Sequence, residues 1–143
     1  MTLALDTAAE VGGAGEVPVG AVVVDTGGQV IARSGNRVER DGDPTAHAEI
    51  VVLREAAAGL GVKRLADCDL YVSLEPCPMC AAAISLARIR RVYFAAFDPK
   101  GGGVEHGPRI FAQPTCHHRP EVYGGIGERR AAELLREFFR DRR

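Results

Sequence analysis

A chain of 143 residues, 46% hydrophobic and 26% charged, has the size and balance of one globular domain spanning residues 1–143 with a single core. A net charge of −1 excludes whole-molecule attraction as a basis for nucleic-acid binding, which would need local Lys/Arg clusters. No apolar run approaches a bilayer span and no basic-then-apolar leader opens the chain, so no membrane segment is expected and the cytoplasm is the default location.

Leu3 to Glu10 reads as a short Ala-rich helix, stopped by Gly12-Gly13-Ala14-Gly15. The β-branched run from Val17 to Asp25 reads as a buried strand. Thr26-Gly27-Gly28 is a turn, and Gln29 to Arg33 returns as a second strand, which makes a hairpin. Asn36 to Gly42 is a polar loop. Asp43-Pro44 offers an N-cap followed by a proline at the first helical position, so a helix is expected from there to about Ala58. Ile50, Leu53 and Ala57 mark its apolar side, and Gly59-Leu60-Gly61 stops it. A third strand is expected over Leu70–Leu74, a helix over Cys77–Ala87 and a fourth strand over Arg91–Ala96. A Gly/Pro-rich loop runs from Asp98 to Pro108, and residues 109–120 carry no clear signal. Glu121–Tyr123 is a short fifth strand, and Glu128–Arg140 is a terminal amphipathic helix. Strands alternating with helices argue for a layered α/β domain. Two basic clusters stand out: Arg88-Ile89-Arg90-Arg91, and Arg136, Arg140, Arg142 and Arg143 at the end.

Two short stretches carry the chemistry, Ala46-His47-Ala48-Glu49 and Glu75-Pro76-Cys77-Pro78-Met79-Cys80. One imidazole and two thiolates make a three-donor set for zinc, and catalytic zinc sites have three protein ligands with one open position. Cys77 and Cys80 are three apart and share a helix face. His47, Cys77 and Cys80 are expected in first helical turns, where N–H groups and the helix dipole favour thiolates. Glu49 is two residues from His47, about 200° around an ideal helix, so it is expected to approach from another side as a proton carrier rather than a ligand. A structural zinc site is the alternative. It would need a fourth donor, for which Cys68, His106, Cys116, His117 and His118 are available. Without a secretion signal the four cysteines are not expected to pair as disulfides.

The His-x-Glu and Pro-Cys-x-x-Cys pair is the established signature of zinc-dependent nucleobase deaminases, and this chain resembles that cytidine-deaminase-like superfamily. Further stretches resemble one branch, the bacterial tRNA-specific adenosine deaminases: Glu16 to Val22, Gly35-Asn36-Arg37, Asp43 to Ile50, Leu74 to Ala83, Arg88 to Val92, Asp98 to Gly102 and Phe138-Phe139-Arg140. The resemblance implies a three-layer α/β/α sandwich around a five-stranded mixed sheet, working as a homodimer with one Zn²⁺ per chain. It implies hydrolytic deamination of the wobble adenosine in a tRNA anticodon stem-loop to inosine. His47, Cys77 and Cys80 would hold zinc, and Glu49 would move protons. Asn36 would hydrogen-bond the flipped adenine, and Val19 would line its pocket. Asp98 and Lys100 would meet neighbouring nucleotides, and Phe138 or Phe139 with Arg140 and the arginines after it would hold the loop.

Plainer roles stay open for several of these residues. Asn36 beside Gly35 fits a turn, as does Asp98-Pro99. One of Phe138 and Phe139 is expected in the core, and the terminal arginines could simply face water. The first helix is short for the family, as if residues preceded Met1. The Gly102–His118 loop departs from some members and carries Cys116-His117-His118. The rival functions are deamination of a free base such as cytosine or guanine, and a non-catalytic accessory subunit that keeps zinc. The basic tail counts against the first, and an intact Glu49 counts against the second.

Overall fold

The computed structural model describes residues 1–142; Arg143, counted above in the basic tail, lies outside them. Helix α1 spans Thr2–Gly13, strand β1 Gly20–Val24 and strand β2 Val30–Gly35. A short helix α2 covers Val38–Asp41, and α3 covers Ala48–Leu60. Strand β3 (Asp69–Leu74), helix α4 (Pro78–Leu86) and strand β4 (Arg91–Ala96) form a crossover unit. A 3-10 turn at Ile110–Ala112 precedes strand β5 (Glu121–Gly124) and helix α5 (Glu128–Arg140).

The sheet order is β2-β1-β3-β4-β5. Strand β1 runs antiparallel to β2 and β3, whereas β3, β4 and β5 are parallel, so the sheet is mixed. Alternation sorts the side chains. Ala21, Val23, Leu70, Val72, Val92 and Phe94 face α3 and α4 and build the main core with Val52, Leu53, Ala81 and Ile84. On the other face, Leu5 of α1 and Ala131 of α5 pack with Ala95 and Ala96 in a smaller cluster. The result is helices on both faces of one sheet.

Several boundaries move, each for a local reason. The first helix continues through Gly12 and Gly13 to Ala14, and the chain turns at Gly15, where φ is +96°. The predicted strand at Val17 starts at Gly20 instead, because Pro18 has no N–H to give a ladder. The loop after Asn36 contains α2. Asp43 does not cap a helix at Pro44. Its carboxylate accepts the N–H and hydroxyl of Thr45, which closes a turn, and α3 begins only at Ala48.

This topology gathers one end of the sheet. The carboxyl ends of β2, β3 and β4 meet the amino end of antiparallel β1, with Gly20 opposite Gly35, Ala21 opposite Val72 and Leu74 opposite Ala96. Val19, Asn36, Glu75–Cys77 and Asp98 therefore leave the sheet at the same end, the usual place for a site in an open α/β sheet.

Candidate active site

His47 and Cys77 are the N-cap residues of α3 and α4, not first-turn residues. Their backbones are extended, with φ/ψ of −66°/152° and −70°/171°. N-caps usually use the side chain to accept from the helix N–H groups. Neither does so here. Their side chains turn toward one another: His47 Nδ1 lies 3.6 Å from Cys77 Sγ and 3.6 Å from Cys80 Sγ. Pro78 at the start of α4 is tolerated because no N–H is required there.

The three donor atoms lie within 4.8 Å of one another, and no other such group of three or more occurs among the described residues. Tetrahedral zinc, with Zn–N near 2.0–2.1 Å and Zn–S near 2.3 Å, requires an N···S edge of about 3.6 Å. The spacing and the soft donor set fit that ion, and a fourth position is left without a protein donor from this group. Three of the candidates for a fourth ligand are engaged elsewhere. His106 Nδ1 bonds Glu75 at 2.8 Å, His118 Nε2 donates to the Ile89 carbonyl at 2.6 Å, and Cys116 Sγ sits 3.5 Å from Ser85 Oγ.

Charge is concentrated at this point. The hydrogen bond from Cys80, with His47 as a second donor, holds the Cys77 thiol down to about 4. The same bond and burial push the Cys80 thiol up. The bond to Cys77 raises His47. Glu49 is 4% exposed, and burial lifts its carboxyl to about 7, where it can both take and give a proton near neutrality.

His47, Glu49 and Cys77 line one cavity of ≈ 910 Å³, shared with Val19, Asn36, Leu74, Glu75, Asp98, Phe138 and Arg142. The helical offset between positions 47 and 49 therefore does not separate them. His47 lies outside the helix, so the 100°-per-residue rule does not apply between the two.

Asn36 is buried at the cavity wall, its backbone N–H on Val19 O at 3.0 Å and its Nδ2 3.5 Å from Glu16 Oε1. Glu16 also accepts the N–H groups of Glu39 and Arg40, at 3.0 and 2.7 Å, and so fixes the turn around Asn36. Asp98 uses Oδ1 to accept Lys100 and Gly101 N–H at 3.2 and 2.9 Å, so it is a turn former as well as a cavity residue. Neither phenylalanine is core, because α5 buries only Ala131. Phe138 faces the main cavity with the Arg142 guanidinium 3.6 Å over its ring. Phe139, 49% exposed, lines an adjacent cavity with Lys100, Arg136 and Arg140. In the other basic cluster two of the three arginines are paired internally: Arg90 with Asp69 through two bonds and Arg91 with Glu121.

Glu75 and Glu16 were not assigned roles by sequence reasoning. The signal for Glu75 was a carboxylate directly after a buried strand.

A mixed five-stranded α/β sheet whose helix entrances present one histidine and two cysteines around a buried glutamate defines the zinc-dependent deaminase class. The family model for the cytidine and deoxycytidylate deaminase zinc-binding region matches residues 1–96. A tRNA-specific adenosine deaminase of Agrobacterium fabrum (strain C58) is 61% identical over 143 residues, covering 100% of this chain and 93% of that protein. A solved structure from a study of A-to-I editing by tRNA:A34 deaminases at the wobble position superposes with a TM-score of 0.92 at 61% identity, covering 94% and 97% of the two chains. A guanine deaminase from Bacillus subtilis superposes with a TM-score of 0.68 at 35% identity, covering 99% and 90%. The chain belongs to the tRNA-specific adenosine deaminases, within the zinc-binding cytidine and deoxycytidylate deaminase family.

Proposed function

We infer that this chain hydrolyses the wobble adenosine of a tRNA anticodon loop to inosine, releasing ammonia. The observation that carries the reading is the His47–Cys77–Cys80 cluster with buried Glu49 on the wall of the same cavity. Identity of 61% with a tRNA-specific adenosine deaminase supports the substrate.

His47 Nδ1 and the two thiolates would hold one zinc ion per chain. When bound, zinc lowers the pKa of a coordinated water and makes it a nucleophile near neutral pH. Glu49 takes one proton from the water that attacks C6 and passes it to the ring nitrogen, then takes the second from the added hydroxyl and passes it to the amine, which departs as ammonia. Asn36, held by Glu16, hydrogen-bonds the base, and Val19 packs against it. A base must leave its stack to enter such a cavity, which suits a splayed anticodon loop. Phe138 and Arg142 flank the mouth. Asp98 meets a neighbouring nucleotide there, and Lys100, Phe139 and Arg140 hold backbone beyond it.

Residues 1–143 act as one deaminase domain, and the active form is a homodimer. No helix among the described residues is long and apolar enough to cross a membrane, and a tRNA substrate supports a cytoplasmic location. The test is ammonia release from an anticodon stem-loop compared with free guanine and cytosine. Release from the stem-loop alone is expected. Release only from a free base would replace this reading with the free-base one.

A further inference from the structure

We propose that Glu75 is a positioning residue for the substrate, clamping the loop from Asp98 to His106 onto the entrance of α4. The proposal rests on the tRNA reading above, since Asp98 and Lys100 are on that loop.

The Glu75 side chain is fully buried. A carboxylate taken out of water persists only when its oxygens are satisfied. Oε1 accepts the Asp98 N–H at 3.0 Å and bonds His106 Nδ1 at 2.8 Å. Oε2 accepts the N–H groups of Val104, Glu105 and His106 at 3.3, 3.0 and 3.1 Å. Every partner comes from the loop. One carboxylate therefore ties both ends of the segment together.

The loop is pressed onto the metal helix as well. Gly103 N–H donates to Pro76 O at 2.8 Å, and a Cβ at Gly103 would sit 2.5 Å from Pro78 N. A Cβ at Gly102 would collide with Glu75 Oε2. Glu75 is two residues from Cys77, so loop and metal-binding helix are registered to one another. Asp98, whose N–H Glu75 holds, in turn accepts the Lys100 and Gly101 N–H groups. The chain of contacts runs from Glu75 to the two groups that face the nucleotides beside the target base. Glutamine cannot replace the carboxylate here: its NH₂ would point donors at incoming N–H groups.

The test uses full-length zinc-loaded protein and an anticodon stem-loop. Glu75→Gln is compared with His106→Ala, a half-buried position that removes one donor and leaves Glu75 intact. The clamp predicts unchanged zinc content and faster hydrogen exchange at Val104, Glu105 and His106. It also predicts a KM raised about tenfold for Glu75→Gln and severalfold for His106→Ala, with kcat within about twofold. A wild-type KM in folded Glu75→Gln, or a lost kcat at unchanged KM, would overturn it, the latter marking a scaffold for the metal. If Glu75→Gln does not fold, His106→Ala decides by the same criteria. Wild type inactive on the stem-loop would overturn the tRNA reading itself, whatever the variants do.

Discussion

His47 Nδ1 and Cys77 Sγ lie 3.6 Å apart, although each stands at the N-cap of a different helix. Two helices give up side-chain caps, which are worth about 1 kcal/mol each. The two caps and Cys80 become a donor set with the edge length of a zinc tetrahedron.

The metal prediction follows directly. Purified protein is expected to carry about one zinc per chain, and Cys80→Ala is expected to lose it together with stability, since metal binding is coupled to folding. Elemental analysis and thermal melts measure both. Full zinc occupancy in Cys80→Ala would show that the ligand set is wrong.

Glu49→Ala is expected to keep zinc and fold while losing about 10²–10⁴-fold in turnover, the usual worth of a placed acid–base group. Single-turnover kinetics with metal analysis of the same sample reads this. Near-normal turnover would mean that another group carries the protons.

The fold makes its own demand at Gly20. A Cβ there would strike the Ala4 carbonyl and come within 2.6 Å of Ala8 N, both backbone atoms of α1. Gly20→Ala is expected to cost about 3 kcal/mol, in the range of overpacked cores, and to lower Tm by roughly 10 °C. A calorimetric Tm within a degree of wild type would show that α1 can move off the sheet freely.

Much of this was legible beforehand. Strand β4 and helix α5 fall where alternation and amphipathic periodicity put them, because both signals are local. The clustering of His47, Cys77 and Cys80 was legible because residue type and spacing limit the chemistry. The N-cap positions of His47 and Cys77 were not, because Asp43-Pro44 is a good local start signal that the Asp43–Thr45 turn uses instead. Glu75 was hidden for a different reason: its five donors come from residues 98–106, and no local pattern links those positions. Phe138 and Phe139 looked like a core residue and a surface residue. Only the packing of α5 shows both outside the core, facing different cavities.

The tail offers a salt-dependent signature. Arg142 covers Phe138 at the cavity mouth, and Arg140 lines the neighbouring cavity with Lys100. Arg140→Ala/Arg142→Ala is expected to keep zinc and fold and to bind the stem-loop more weakly. Its log K against log salt slope is expected to be shallower by about 0.7 per lost phosphate contact. Equal affinity and slope in a salt titration would remove the tail from the RNA site.

Action of the His47–Cys77–Cys80 and Glu49 site on one adenosine of a tRNA loop is tested most directly by digesting a treated anticodon stem-loop to nucleosides and locating inosine by mass spectrometry. Inosine is expected at the first anticodon position of the wild-type reaction, with other loop adenosines intact and none formed by Glu49→Ala. Inosine spread over the loop, or equal inosine from Glu49→Ala, would contradict it.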